Sequence, residues 1–546
     1  MMFSDHISVN LLTAALPALG VKDVVVCPGA RNAPLTHNIH LMRPQLRAHE
    51  VTDERSAAFV ALGMALRTGV PVAVCVTSGS ALLNTLPAVA EAYMRHIPLL
   101  VISADRPSCL IGQLEGQTLQ QQGALTPYAE TFHLPEKADD IDGQWHLKQL
   151  FCQAYSALGR HGGSPVHINL PIPEPLFGFS SPCQPKVMLP KIVRKATSRP
   201  IPQDIMHLIA HGGIPLLVLG QRDFPASDTV CRIEQQGQML VLPELIAGEA
   251  YSWRTLLLEE EPLAEGKYVI VHAGGNQIGK KLKQDFQNRR DVRVVRIEEG
   301  NGTPDTFRHL SAIVYGDTEC ALRQLADELP ENAEVRRLQS LLTQQWNKRI
   351  QDESDLSPQE RAFAALARAV EKDGRTGSLH LANSTPIRMA RRFFDGGGTL
   401  RIVCNRGTNG IEGSISTAVG YALAERAESL MRGCQPKKTL LVTGDLSFFY
   451  DANALWNKTL GGELRILLLN NGGGGIFHSL PGLKESPALK PIVAASHKTS
   501  AEGLCHSFGV AYSCTDCTSP RLETEIRALI ADASKSPRLL EVNIPL

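Results

Sequence analysis

Residues Thr439–Gly475 read "TLLVTGDLSFFYDANALWNKTLGGELRILLLNNGGGG". An apolar run ends in Thr443-Gly444-Asp445, a helix-length segment follows, and a second apolar run ends in two amides and four glycines. Strand, turn, helix, strand is one unit of a parallel α/β sheet. A tight turn uses one or two glycines, and every further one costs backbone entropy. Such a run is expected where a backbone must approach something closely. Residues Pro71–Pro107, "PVAVCVTSGSALLNTLPAVAEAYMRHIPLLVISADRP", repeat the layout at nearly the same length, with "TSGSA" at the first turn. Two related α/β domains are therefore expected. Ligands of such sheets bind beyond the carboxyl ends of the strands.

The whole chain has 546 residues, 43% of them hydrophobic and 20% charged, which implies a globular protein of several domains. Its 55 basic and 55 acidic residues cancel, which argues against a general nucleic-acid binder. No run of about 18 apolar residues occurs, so no membrane span is expected. Asp5 stands where a secretory signal would carry Lys or Arg. Twelve cysteines, some inside apolar runs (Cys27, Cys75), suit a reducing compartment and a cytoplasmic location. Cys514 and Cys517 form one CxxC without the second pair a zinc site needs. Apolar runs alternating with helix-length segments divide the chain into a first α/β domain, 1–178, and a Pro/Ser-rich linker, 179–202. A middle α/β domain, 203–330, has "IPLLVLG", "KYVIVHAGG" and "VRVVRIEEG" as strands. A polar helical linker, 331–357, leads to the third domain, 358–546.

Asp445 and Asn471 lie 26 residues apart, each at the end of one of two consecutive strands. A carboxylate, an amide oxygen and a backbone carbonyl are hard donors that suit Mg²⁺, which commonly takes its remaining ligands from phosphate. Gly472–Gly475 would let the backbone approach both metal and diphosphate. The structural alternative is a glycine-rich loop capping a helix, with Asp445 as an N-cap. The two halves at this spacing favour the site.

"GDLS" followed by "NN" resembles the thiamine-diphosphate motif, which begins GDG and ends NN. Leu446 in place of the usual glycine is the form of the MenD family, the 2-succinyl-5-enolpyruvyl-6-hydroxy-3-cyclohexene-1-carboxylate synthases. The resemblance runs through "VCPGARNAPLT", "TDERSAAFVALGMA", "VTSGSALLN", "SADRP", "VHINLPIPEPLFG" and "NRGTNGIEGSIST". It covers nearly the whole chain and is weakest in the middle block. It implies three doubly wound parallel-sheet domains, the first pyrimidine-binding and the third diphosphate-binding. The implied activity is that of a menaquinone-pathway transferase. It decarboxylates 2-oxoglutarate and adds the succinyl carbanion equivalent to isochorismate in a Stetter-like conjugate addition, with thiamine diphosphate and Mg²⁺ or Mn²⁺. Because the family's coenzyme lies between the first domain of one copy and the third of another, a homodimer is the minimum and a homotetramer the alternative.

The resemblance also implies roles. Glu54, rather than the adjacent Asp53, would face the coenzyme's aminopyrimidine, although an acid opening a helix can simply complement its dipole. Ser78, Gly79, Ile411, Gly444, Asp445, Leu446, Ser447, Asn471, Gly473, Gly474 and Ile476 would contact the coenzyme, with Ile411 propping its bent shape. Asp445, Asn471 and the Gly473 carbonyl would hold the metal. Arg388 and Arg406, with Ser384, would bind the carboxylate from 2-oxoglutarate, and Gln117 would contact the intermediate. Arg31, Arg106, Lys280 and Lys281 would face isochorismate, and Ile476, Phe477 and Leu480 would form an apolar wall. The residues themselves are compatible, since arginine grips carboxylates bidentately and four arginines stand in loops at expected strand ends. Lys281, Ala30 and Gly116 depart from some relatives, which have Arg, Ser and Asn there. Asn470 reads as structural, and His478 and His497 as solvent-facing. The rivals are another thiamine-diphosphate decarboxylase or carboligase of the acetolactate synthase type, and a non-catalytic metabolite-binding relative. A nicotinamide oxidoreductase is a further one, suggested by "VHAGGNQIGKKL" but lacking G-x-G-x-x-G.

Overall fold

The computed structural model describes residues 2–183, 186–190, 200–223, 227–300, 302–350, 356–531 and 533–545. Much of the expected linker 179–202 and residues 351–355 of the expected linker 331–357 lie outside the described residues.

Three parallel sheets carry the chain. The first contains β1 (Asp23–Val26), β2 (Arg47–Glu50), β3 (Val72–Val76), β4 (Leu99–Asp105), β5 (Glu130–His133) and β6 (Val166–Pro171), in spatial order β2-β1-β3-β4-β6-β5. The middle one contains β7 (Ile214–Leu219), β8 (Leu240–Pro243), β9 (Tyr268–Ala273), β10 (Val292–Glu298) and β11 (Leu310–Tyr315), in order β11-β10-β9-β7-β8. The third contains β12 (Thr376–Leu381), β13 (Arg401–Val403), β14 (Lys438–Gly444), β15 (Leu464–Asn470), β16 (Ala511–Asp516) and β17 (Arg538–Asn543), in order β13-β12-β14-β15-β17-β16. The first and third sheets thus share one strand order, the duplication expected from the two matching segments. Central strands such as β3 and β15 are apolar and buried on both faces, as parallel strands sandwiched by helices must be.

The first and third domains meet through helices Glu54–Thr68 and Ser414–Met431. Their backbones approach so closely that a Cβ on Gly63 would stand 2.1 Å from Thr417 O, and one on Gly420 would stand 1.9 Å from Val60 O. One apolar core, from Val25 and Leu62 to Val419 and Ile466, runs through this contact. The polar segment after the middle domain is a helix, Ala333–Ile350, which lays Val335, Leu338, Leu342 and Trp346 on the middle sheet's own core, with Trp346 stacked on Trp253. The helix Pro358–Asp373 opens with a capping box in which Ser357 and Glu360 bond each other's backbone. At the other end of the first domain, Phe3 pairs with Ser181 in an isolated antiparallel bridge.

Candidate active site

β14 and β15 are neighbours in register, so their carboxyl ends deliver Asp445 and Asn471 to one place. Asp445 opens helix Asp445–Tyr450 and is buried. Its Oδ1 accepts from Leu446 N–H at 2.7 Å, and its Oδ2 accepts from the N–H groups of Asn471 at 3.1 Å and Gly473 at 2.9 Å. The side-chain amide of Asn471 lies 2.6 Å from the carbonyl oxygen of Gly473 and 3.1 Å from Asp445 Oδ2, and its NH₂ group donates to both. Turned over, the same amide would present its oxygen beside that carboxylate and that carbonyl. The donor set, one carboxylate, one amide and one carbonyl, is thus one a hard divalent cation accepts. Among the described residues no cluster of three His, Cys, Asp or Glu offers a competing metal site.

The glycine run now has a use. Gly472 sits at φ +73°, the left-handed region, and a Cβ on Gly473 would stand 2.7 Å from Ala494 O. Asn470 belongs to the fold, donating to Glu541 at 2.5 Å and to Thr499 O at 2.9 Å while its own oxygen accepts from Gly472 N–H.

A cavity of about 190 Å³ opens over these oxygens. Its walls include Ser384, Ile411, Gly444, Asp445, Leu446, Ser447, Asn471, Gly473, Gly474, Ile476 and Phe477. Ser447 Oγ donates to Ile411 O at 2.8 Å and pins that wall. Ser384 caps helix Thr385–Phe393 at φ +73°, strain of the kind that gathers at functional sites. Asn383, Thr385, Pro386, Gln359, Leu469 and Gly475 also line the cavity. Of these the sequence points only to Gly475, in the run Gly472–Gly475, although "NSTP" ahead of a helix is a cap-like signal for the first three.

Arg406 is buried and donates to Asn383 Oδ1 at 3.3 Å and to Gln277 O at 3.2 Å. Arg388, on the helix that Ser384 caps, makes no hydrogen bond or ion pair among the described residues. Partial burial and the nearby Arg406 and Arg391 hold it below the ordinary arginine value, although its side chain reaches solvent. Lys280 and Lys281 are exposed at the start of helix Lys280–Asn288, after the loop whose Gln277 meets Arg406. Leu480 is 42% exposed and does not line the cavity, so of the three residues expected as an apolar wall only Ile476 and Phe477 do.

The remaining expected residues gather elsewhere, at the carboxyl ends of β1, β3 and β4. Asp53 is consumed as the N-cap of helix Glu54–Thr68, accepting from Arg55 and Ser56 N–H, and receives Asn453 Nδ2 at 2.9 Å. Among the described residues, Glu54 keeps only a long contact from Asn84 at 3.3 Å. After burial, its charge is the main cause that raises the thiol of Cys27, which places the carboxylate beside the end of β1. Gly79 sits at φ +87°, and its N–H donates to the buried Gln121 at 2.7 Å. Ser78 Oγ is buried without a partner among the described residues. Gln117 is exposed, at φ +58°, with its backbone carbonyl carbon 3.4 Å from where a Gly79 Cβ would be. Arg31 is buried, donating to Ile172 O at 2.7 Å and Glu174 at 2.9 Å; burial and the neighbouring Arg106 hold it below the ordinary value. The Arg106 guanidinium has no partner among the described residues. These residues do not line the Asp445 cavity, so one chain gathers the expected residues in two separate places.

Two expectations change. His497 is only 17% exposed, lies edge-on to Phe449 and turns Nε2 to within 3.4 Å of Asp445 Oδ2, because its backbone N–H ties to Gly472 O and folds it under the glycine loop. His478 likewise buries its Nε2. Neither is solvent-facing. The loop that suggested a dinucleotide is also filled. Glu244, fully buried, accepts from the N–H groups of Ile278 and Gly279 at 3.0 Å, where a phosphate would have to sit. A second cavity, about 340 Å³, lies between the first domain and the carboxyl edge of the middle sheet. Its arginines are already engaged, Arg95 with Asp223, Arg222 with Glu249 and Arg296 with Glu298, so it offers no free cation to a dianionic substrate.

The fold and this site define a thiamine-diphosphate-dependent enzyme. The model of the thiamine pyrophosphate enzyme N-terminal TPP-binding domain matches residues 8–125. A thiamine diphosphate-dependent 4-hydroxybenzoylformate decarboxylase of Rhodococcus jostii superimposes with a TM-score of 0.71 over 99% of both chains at 18% identity, which shows the shared fold. The chain belongs to the 2-succinyl-5-enolpyruvyl-6-hydroxy-3-cyclohexene-1-carboxylate synthase family. It is 36% identical to the synthase of Bacteroides thetaiotaomicron, over 99% of this chain and 96% of that one. It is 31% identical to the synthase of Porphyromonas gingivalis, over 100% and 95% of the two chains. No helix among the described residues is long and apolar enough to cross a membrane.

Proposed function

We propose that this chain joins 2-oxoglutarate to isochorismate with release of CO₂, in menaquinone biosynthesis, and that it works as a homodimer or a larger assembly. The observation that carries the reading is the convergence of Asp445, Asn471 and the Gly473 carbonyl at one cavity, whose Ser384 heads the helix of Arg388, an arginine that lacks an acidic partner among the described residues. Asp445, Asn471 and the Gly473 carbonyl would hold Mg²⁺ or Mn²⁺, and Gly444, Leu446, Ser447, Gly474 and Ile411 would surround the coenzyme. Bound there, thiamine diphosphate supplies the electron sink that lets a 2-oxo acid lose CO₂ and react as an acyl carbanion equivalent.

The chain's own residues orient and shield. Arg388 and Arg406 bind the distal carboxylate of 2-oxoglutarate with charge-assisted hydrogen bonds, and Ser384 orients its keto group. Ile476 and Phe477 exclude water from the reacting carbon. Glu54 of a second copy closes the cavity and holds or yields a proton at its carboxylate. Ser78, Gly79 and Gln117 come with it, and Arg31, Arg106, Lys280 and Lys281 take the carboxylates of isochorismate.

The test is product analysis on the enzyme loaded with thiamine diphosphate and Mg²⁺. An adduct with equimolar CO₂ is expected only when 2-oxoglutarate and isochorismate are both present. CO₂ without adduct would favour another carboligase, and an inert protein that still binds both acids would favour a metabolite-binding relative.

A further inference from the structure

Glu91 stands inside helix Leu86–Met94 of the first domain, yet it is fully buried and its carboxylate faces the third domain. Its Oε1 accepts from Gly407 N–H at 2.9 Å, and its Oε2 accepts from Thr408 N–H at 2.7 Å and the Thr408 hydroxyl at 2.8 Å. Arg95, one turn on and 1% exposed, reaches Glu91 at 3.4 Å and Asn405 Oδ1 at 3.1 Å, and it pairs with Asp223 of the middle domain. A buried carboxylate without donors would be costly, and this one is fully occupied. Glycine is required opposite it, since a Cβ on Gly407 would stand 2.9 Å from Glu91 Oε2 and 3.0 Å from Glu91 O.

The segment so held carries Arg406. From the other side, Asn383 donates to Asn405 O and Gly410 O, both at 2.6 Å, and Asn276 donates to the carbonyls of Arg406 and Gly407. The guanidinium leaves this clamped backbone toward Asn383 Oδ1 at the cavity wall. Bidentate recognition of a carboxylate depends on such placement to a fraction of an ångström.

We propose that Glu91 is a positioning residue for Arg406, a first-domain carboxylate that fixes the third-domain backbone from which the guanidinium meets the distal carboxylate of a 2-oxo dicarboxylic acid. The inference rests on the reading that Arg406 binds that carboxylate. Glu91→Gln keeps the side chain's size and sets an NH₂ group against the donors of the 407–408 segment. In the loaded enzyme it is expected to raise KM for 2-oxoglutarate about tenfold, to leave kcat within about threefold, and to leave KM for isochorismate unchanged. Hydrogen exchange at the Gly407 and Thr408 amides should quicken while helix Glu54–Thr68 keeps its protection. Thr408→Val, which removes only the hydroxyl donor, should move KM the same way by a smaller factor. Unchanged exchange at 407–408 would overturn the proposal, as would a fall in kcat at constant KM. A wild-type enzyme that ignores 2-oxoglutarate would overturn the functional reading and the substrate part of this one, whatever Gly407 exchange does.

Discussion

Asp445 brings a buried carboxylate to the Asn471 amide and the Gly473 carbonyl, so in the proposed metal site its charge decides whether a cation can stay. Asp445→Asn should lower Mg²⁺ affinity by at least about tenfold, since even outer partners of metal ligands are worth 10- to 100-fold. Calorimetric titration of Mg²⁺ in the presence of thiamine diphosphate checks this, and unchanged affinity would place the metal elsewhere. Arg388 should act on substrate alone. Removing a charge-assisted bond costs on the order of 1.5–3 kcal/mol, so Arg388→Ala should raise KM for 2-oxoglutarate roughly 10- to 100-fold without changing the melting temperature. Asp445 and Asn471 were legible in the sequence because their spacing is set by one strand–helix–strand unit. His497 was not, because its place depends on a loop folding back onto Gly472, and no local pattern marks that.

Helix contact and strand network set the next scale. Between helices Glu54–Thr68 and Ser414–Met431 the space for a Cβ at Gly420 is filled by the Val60 carbonyl, a backbone atom that cannot swing away. Gly420→Ala should therefore destabilise the protein by about 1–3 kcal/mol or more, read as a shift of the denaturation midpoint. On β6, His167 is buried between Ser103 Oγ at 2.7 Å and Thr131 Oγ1 at 3.2 Å, and burial, with the nearby His133, pushes it down to about 3. A histidine neutral in the fold but near 6.5 when unfolded takes up a proton on unfolding. Stability is thus fully present above pH 6.5 and falls as pH drops toward about 3. The unfolding free energy should lose about 1.4 kcal/mol per pH unit to this group, and His167→Gln should remove that share of the slope. The long apolar strands were legible from their runs. The short edge strand β2 and helix Ala333–Ile350's place on the middle sheet were not, since polar edges and amphipathic helices look alike until a partner surface is known.

At the scale of the molecule, the duplicated sheets place the two groups of expected residues at the carboxyl ends of the same strand positions. Within one chain, the cavity that Asp445 lines does not include Glu54. In the proposed assembly they meet between copies. Mixing Glu54→Gln and Asp445→Asn enzymes under subunit exchange should then restore about a quarter of wild-type activity, because half the dimers are mixed and each regains one intact site. A site within one chain would restore nothing. The repeated segment made the duplication legible in the sequence, whereas Glu91, a lone acid within a helix, gave no sign that it faces another domain. The most direct test of the whole account is a crystal structure of the protein with thiamine diphosphate, Mg²⁺ and 2-oxoglutarate. Mg²⁺ is expected on Asp445, Asn471 and the Gly473 carbonyl, with the substrate's distal carboxylate on Arg388 and Arg406. A metal away from those three oxygens, or a carboxylate held without either arginine, would contradict it.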